Sequence, residues 1–208
     1  MADDALMDDG EARPRAPRKR HAVMDAARRV FAERGYNASM EEIAFEAGVS
    51  KQTIYNQFGS KDQLFHAMID DRIAEMTASL TTASPDADPR EVLTQIGRVY
   101  HAKIIGPENV KMTRAMIAAP GAAAVLREVF THGPQRFLKT FAAWLRALDE
   151  AGRLNVPDPE LAAEHFVSFT FGKLYMRRLF GIETPYDEAD VERRLAYCVD
   201  SFLRAHAP

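Results

Sequence analysis

A run of hydrogen-bonding side chains occupies residues 51–57, directly after the sequence Ala-Gly-Val-Ser at residues 47–50. Its polar members include one cation and no acid, and they are Lys51, Gln52, Thr53, Tyr55, Asn56 and Gln57. Amide and hydroxyl groups can read base edges in the DNA major groove, and all of these residue types can also contact phosphates. A solvated polar helix of any helical protein would contain the same residue types, so residue type alone leaves both interpretations open.

Helix start and stop signals place this run on a short helix of its own. Ser39-x-x-Glu42 is a capping-box pattern that predicts the start of one helix, and Gly48 predicts its end. Ser50 is the predicted N-cap of the next helix, which extends to about Gln57. The apolar residues that would fix the angle between the two helices are Ile43, Ala44, Ala47, Val49, Ile54 and Phe58. This layout is that of a helix-turn-helix over about residues 39–58.

The rest of the chain is also predicted to be helical. A first helix with apolar residues at helical spacing ends at Gly35, and a fourth begins after Ser60. Further helices are predicted near residues 89–105, 107–118, 122–151, 158–181 and 187–205, with a kink or break at Gly133-Pro134. Because no strand-like alternation is found, the predicted fold class is all-α, with a small helix-turn-helix domain followed by a larger helical domain.

Composition divides the chain into three parts. Residues 1–17 are acidic and then rich in arginine and proline, and we predict a disordered tail there. Residues 18–78 form the predicted helix-turn-helix domain and residues 79–208 the second domain, with a loop at 81–90 near the boundary. Residues 13–62 carry ten Lys/Arg against six Asp/Glu in a chain of net charge −3, and this local excess indicates a segment that meets phosphate.

Composition also argues against secreted and membrane proteins. The chain has one cysteine, Cys198, so an intrachain disulfide is excluded and a reducing compartment is favoured. No apolar run reaches the ~18 residues of a membrane helix. The first residues are acidic, whereas a signal peptide begins with basic residues. We therefore expect a cytoplasmic protein that makes no contact with a membrane.

Catalytic motifs are missing from the sequence. No histidine follows a glutamate by three residues, which excludes the Glu-x-x-His pattern of di-iron helical bundles. There is no glycine-rich phosphate loop, no Gly-x-Ser-x-Gly motif and no paired-cysteine metal site. We therefore expect that the protein is not an enzyme and that it needs no cofactor and no metal.

The segment AARRVFAERGYNASMEEIAFEAGVSKQTIYNQFGSKDQLF contains a long ordered set of residues at fixed spacing. The set is Ala26-Ala27, Phe31, Gly35-Tyr36, Ser39, Ile43-Ala44, Ala47-Gly48-Val49-Ser50, Thr53, Tyr55, Phe58, Ser60-Lys61 and Leu64. With this set, residues 18–64 resemble the N-terminal DNA-binding domain of the TetR family of transcriptional regulators. One departure is Gln57, where the family often has histidine. Farther along, REVFTHGPQRF and FVSFTFGKL are similar to the AefR-like C-terminal domains of that family.

This resemblance implies a homodimeric repressor of a palindromic double-stranded operator, with one recognition helix, residues 50–57, in each major groove. Carried over by position, the implied phosphate-side contacts are Ser39, Ser50, Thr53, Tyr55, Gln57 and Lys61. The implied base-reading candidates are Lys51, Gln52 and Asn56. Lys19 and Arg20 precede the first helix as candidate contacts to the DNA backbone or minor groove, or as solubilising charges. The Tyr55 ring has a second possible role, which is packing against Phe58.

The resemblance also implies a small-molecule site in the second domain, whose occupancy moves the fourth helix and spoils the DNA-binding geometry. Methionine and aromatic side chains suit adaptable apolar pockets, although the same residues often simply form a core. His101 and His132 are candidate polar anchors. The candidate pocket residues are Met76, Tyr100, Ile104, Met112, Met116, Phe130, Phe137, Phe141, Trp144, Phe166 and Phe169.

The last two predicted helices resemble the dimer interface of the family, a four-helix bundle across a twofold axis. The alternative is that their apolar stripe covers the core of their own domain. The candidate interface residues are Phe171, Gly172, Tyr175, Tyr197 and Phe202.

The sequence therefore predicts a DNA-binding transcriptional regulator, a repressor that a small and largely apolar ligand releases from its operator. The alternative is a helical adaptor that binds protein and does not read DNA. The adaptor hypothesis leaves the polar cluster at residues 50–61 unexplained.

Overall fold

The structure, a computed structural model, describes residues 15–208 except residues 85, 184 and 185, and the side chains of residues 15–18 and 130 also lie outside the description. Over the described residues the chain forms nine α-helices and no strand, which confirms the all-α prediction. The helices are α1 (Arg15–Arg34), α2 (Met40–Ala47), α3 (Lys51–Phe58), α4 (Lys61–Thr82), α5 (Pro89–Tyr100), α6 (Pro107–Ala118), α7 (Ala123–Glu150), α8 (Pro159–Leu179) and α9 (Glu188–Ala205).

The start of α1 lies within the segment that the sequence predicted to be disordered. The helix begins at Arg15, so the last three residues of the predicted tail are helical, and residues 1–14 lie outside the described residues. A proline fits at position 17 because the N–H groups of the first helical turn have no intrahelical partner.

A first core lies between α1, α2, α3 and the first half of α4. Phe31 and Phe65 meet edge to face at its centre, with ring centroids 5.2 Å apart. Met112 and Met116 of α6 and Val129 of α7 belong to the same buried cluster. The small N-terminal domain therefore shares its core with the helices that follow, and α4 continues without interruption past the predicted boundary at residue 78.

A second core lies between the second half of α4 and α5, α7, α8 and α9. Phe166 is at its centre and meets Phe141 edge to face at 5.5 Å and Phe202 edge to face at 5.4 Å. Edge-to-face pairs of buried rings add to the stability that burial of their area already gives. This core holds α8 and α9 against the rest of the domain.

Two helices differ from their predicted form. The helix predicted over residues 89–105 ends at Tyr100, and His101–Ile105 form a π-helical turn. Side chains bond two of its carbonyl groups: Asn109 donates to the Ile104 oxygen at 2.7 Å and Arg178 to the Ile105 oxygen at 2.6 Å. Helix α7 continues through Gly133-Pro134, so the predicted break is wrong, whereas the predicted kink stays a prediction.

No helix in the described part of the chain has both the length and the apolar character that crossing a membrane requires.

Candidate DNA-binding surface and ligand cavity

Helices α2 and α3 are joined by a tight turn that the capping residues define. The Ser39 hydroxyl accepts from the Glu42 N–H at 3.1 Å and the Glu42 carboxylate accepts from the Ser39 N–H at 2.8 Å, which confirms the capping box. Gly48 ends α2 in the left-handed region, with φ of 64°. The Ser50 hydroxyl then accepts from the Thr53 N–H at 3.1 Å and starts α3.

The buried face of α3 determines which of its residues point outward. Ile54 is fully buried and Phe58 nearly so, and both belong to the first core. The four side chains on the opposite face are exposed, and we call them the α3 surface: Lys51, Gln52, Tyr55 and Asn56. Thr53 and Gln57 are partly buried beside them.

The side chains of the α3 surface are held by one another and by α2. Gln52 donates to the Asn56 side-chain oxygen at 2.8 Å. The Lys51 ammonium lies 5.7 Å from the centre of the Tyr55 ring and forms an ion pair with Glu41 of α2. The hydrogen bond in this pair raises the pKa of Lys51 and lowers that of Glu41. In the free chain the carboxylate therefore offsets part of the charge that Lys51 would offer to a phosphate.

Four other contact candidates, Lys61, Arg20, Ser39 and Ser50, also have contacts within the chain. Lys61 is partly buried, donates to the Tyr36 carbonyl oxygen at 2.7 Å and lies 4.2 Å from the centre of the Tyr36 ring. Lys19 and Arg20 lie within α1 and not before it, because the helix begins at Arg15. Both are exposed, and the Arg20 guanidinium lies over the Phe58 ring at 4.5 Å. Ser39 and Ser50 cap their helices, so in the free chain their hydroxyl groups accept hydrogen bonds from backbone N–H groups.

A cavity of about 250 Å³ lies between α4, α5, α6, α7 and α8. Its walls are mainly apolar and carry six of the eleven candidate pocket residues: Met76, Tyr100, Ile104, Met112, Met116 and Phe137. Phe65, Met112 and Met116 belong both to the cavity wall and to the first core. A molecule in this cavity would therefore touch side chains that also pack under the helix-turn-helix.

Four candidate pocket residues lie elsewhere. Phe141 and Phe166 are buried in the second core and Trp144 packs against it, because their rings meet one another and Phe202 of α9. Phe169 is 65% exposed on the outside of α8. The side chain of the fifth, Phe130, lies outside the described residues.

The cavity wall also has polar residues that the sequence did not single out for this site. They are Arg72 of α4, Asn109 and Thr113 of α6, and Tyr175 of α8. Of these, Tyr175 was predicted at the dimer interface. The sequence signal that could have identified Arg72 and Asn109 is a charged or amide residue on an otherwise apolar helix face. The two histidines proposed as polar anchors are not on the wall: His132 is exposed, and His101 contacts Phe171.

The outer surface of α8 and α9 differs from the predicted interface. Phe171 and Phe202 are buried in the second core, whereas Tyr197 is 63% exposed. Gly172 is partly buried, and a Cβ at this position would meet nothing within 4 Å. Large apolar side chains are also exposed on α8 and directly after it, among them Leu161, Phe169, Met176 and Phe180.

Comparison with known proteins places this chain among bacterial regulators. The profile of the bacterial regulatory proteins of the tetR family matches residues 23–68, and that of the AefR-like transcriptional repressor C-terminal domain matches residues 91–208. The HTH-type transcriptional regulator BetI of Rhizobium meliloti (strain 1021) is 32% identical over 200 residues, which are 91% of this chain and 92% of the relative.

Solved structures give the same result. The flavonoid-responsive regulator FrrA is 30% identical with a TM-score of 0.67, and the match covers 92% of this chain and 98% of FrrA. A TetR-family transcriptional regulator from Mesorhizobium loti MAFF303099 is 29% identical with a TM-score of 0.70, and the match covers 94% of this chain and 100% of that chain.

Proposed function

Since the chain belongs to the TetR family of transcriptional regulators, we propose that it acts as a homodimeric repressor of a palindromic operator and that a small, largely apolar ligand releases it. The α3 surface is the observation that carries this proposal. It has exposed hydrogen-bonding groups and a cation, and the buried residues behind it fix its orientation. In a dimer, two such surfaces about one DNA turn apart, ~34–36 Å, would enter successive major grooves.

The proposed roles of the residues follow from their exposure. Gln52 and Asn56 would read base edges, and their mutual hydrogen bond would have to open or be shared in the complex. Tyr55 and Lys61 would contact phosphates, together with the N-terminal N–H groups of α2, α3 and α4. Lys51, a base-reading candidate by the resemblance, is proposed here as a phosphate contact instead, because it is the cation of the α3 surface. Residues 18–78 would thus be the DNA-binding domain, and residues 79–208 the domain for ligand binding and dimerisation.

Homodimerisation is proposed through the outer face of α8 and α9. Phe169, Met176, Phe180 and Tyr197 are large, apolar and exposed there, and such a patch on a folded domain is typical of a protein interface. We propose these residues in place of Phe171 and Phe202, which the core of their own domain already buries.

Release by a ligand is proposed because the cavity wall and the first core share residues. Filling the cavity would press on Phe65 of α4 and on Met116 of α6, both of which pack under the helix-turn-helix. A ligand shifts the equilibrium only as far as its affinity differs between the DNA-binding state and the other state. That the similar regulator FrrA is described as flavonoid-responsive supports a response to a small molecule.

The proposal is tested by selecting fragments of genomic DNA with the purified protein and titrating salt on the best fragment. We expect a palindromic consensus and an affinity that falls steeply as salt rises, because phosphate contacts release counterions. A consensus without twofold symmetry would contradict the dimeric operator. No enrichment over random fragments at low salt would contradict DNA readout and favour the adaptor.

Replacing Glu41 by glutamine should strengthen binding to the selected operator. The change removes the carboxylate that pairs with Lys51 and leaves the lysine free for a phosphate. We expect a higher affinity at every salt concentration with a log–log salt slope close to that of the unchanged protein, because Lys51 contacts a phosphate in both complexes and the number of phosphate contacts stays the same. Fluorescence anisotropy at several salt concentrations measures this change. Glu91→Gln, which removes the same charge from an exposed position on α5, is the control. An affinity for Glu41→Gln no higher than that of the Glu91→Gln control would mean that the ion pair with Glu41 does not hold Lys51 back from a phosphate.

A further inference from the structure

The ligand cavity has one strongly polar wall, which Arg72 of α4 dominates. Arg72 is partly buried and its guanidinium donates to the side-chain oxygen of Asn109. Among the described residues, no carboxylate forms an ion pair with it. The acid one turn along α4, Glu75, pairs instead with Lys103. A neutral amide is thus the partner of this cation, although the guanidinium fork fits a carboxylate on two N–H groups at once.

The surroundings of Arg72 make its charge costly. Burial, followed by repulsion from Arg28, lowers the pKa of Arg72 to about 10, so it keeps its proton at neutral pH. A cation in partly apolar surroundings is destabilising unless an anion compensates it. The other cavity walls, formed by residues such as Ile69, Met76, Met116 and Phe137, are apolar. Glu75 forms its ion pair with Lys103 and offsets only part of the charge of Arg72, so the cavity combines a partly compensated positive charge with a large hydrophobic surface.

We propose that the ligand is an apolar molecule with a single carboxylate, and that this carboxylate pairs with Arg72 while the hydrocarbon part fills the rest of the cavity. The inference rests on the proposed function, because it names the chemical class of the releasing ligand. Further donors are available on the same walls. Thr113 is buried, and burial raises the pKa of Tyr100 to about 12, so its hydroxyl stays a donor at neutral pH.

The position of Arg72 explains how the charge of such a ligand would reach the DNA-binding helices. The Arg72–Asn109 hydrogen bond joins α4 to α6, and Asn109 also holds the π-helical turn through the Ile104 carbonyl. A ligand carboxylate would compete with Asn109 for the guanidinium and so loosen α4 from α6. Both helices contribute to the first core, beneath the helix-turn-helix.

The test compares two acids with neutral probes of the same shape. Decanoate is paired with decan-1-ol, and 2-naphthoate with 2-naphthylmethanol, and each is titrated calorimetrically into the full-length protein. A charge-assisted hydrogen bond predicts that at least one acid binds about 10-fold or more tightly than its alcohol. In Arg72→Gln that preference should disappear while the alcohol binds as before, and in Arg72→Lys part of it should remain. Arg127→Gln, an exposed arginine of α7, controls for the change in net charge.

Several outcomes would overturn the inference. Equal affinity of the unchanged protein for acid and alcohol would overturn the inference, whatever the variants show. The absence of saturable binding of either acid would also overturn it. A preference that persists in a folded Arg72→Gln protein, as judged by its thermal unfolding, would also do so. Operator affinity is measured separately with each acid. An acid that binds through Arg72 without weakening the operator complex would leave this site assignment intact and contradict release by the ligand.

Discussion

Changing Lys51 and Tyr55 together to alanine is expected to lower the affinity for the selected operator by about 100-fold or more. Both side chains are exposed on α3, and each is proposed to contact a phosphate in both half-sites of the operator. Hydrogen bonds to charged groups contribute about 1.5–3 kcal/mol each, so the loss of four such contacts should remove specific binding. Because one cation is lost per half-site, the log–log salt slope should also fall by about two.

This double change also separates the two function classes. A regulator should lose its affinity for the operator. Its fold and thermal stability should stay close to those of the unchanged protein, since neither side chain is buried. An adaptor should keep its partner. Lys139→Ala, at an exposed position on α7, removes a lysine far from α3 and should leave operator affinity unchanged. If the double variant binds the operator as tightly as the unchanged protein does, α3 is not the recognition helix.

Replacing Gly35 by alanine is expected to lower the free energy of unfolding by about 3 kcal/mol. Gly35 follows α1 with φ of 59°, where a side chain is strained. A Cβ would also lie 2.4 Å from the carbonyl oxygen of Ala115 and 2.8 Å from its carbonyl carbon. These atoms are backbone of α6, so the contact is relieved only if α6 moves away from the turn after α1. Chemical denaturation measures the loss.

Gly48→Ala is the matched control for Gly35→Ala. Gly48 has nearly the same φ, 64°, but a Cβ there would meet nothing within 4 Å. Its substitution should therefore cost only the backbone strain, about 1 kcal/mol. The difference between the two variants isolates the contact between the end of α1 and α6. Equal losses of stability would mean that α6 can shift freely and that the two parts of the chain are not tightly packed here.

Local signals in the sequence were enough for the helices and for the α3 surface. The serine at position 39, the glycine at 48 and the serine at 50 act on backbone groups within four residues, so their effects do not depend on the rest of the fold. The same residues at the same spacing carried the resemblance to the TetR family. The sequence could not show that Glu41 pairs with Lys51, because the angle between α2 and α3 brings those two side chains together.

The cavity needed the tertiary structure. Helical periodicity marks Phe137, Phe141 and Phe166 as inward-facing, and all three belong to the second core. The packing of neighbouring helices decides that only Phe137 of these three also borders the cavity. Phe169 and Phe171 are two residues apart on α8, and the orientation of that helix leaves the first exposed and the second buried.

By itself, then, the sequence determined the all-α class, the helix-turn-helix and the family, because capping, turn and periodicity signals are short-range. The tertiary structure alone decided which side chains line one cavity and that an amide, Asn109, is the hydrogen-bond partner of Arg72. Arg72 and Asn109 are 37 residues apart and meet only because α4 and α6 both contribute to the first core. Contacts of that kind depend on how whole helices pack, and no local pattern of residues specifies them.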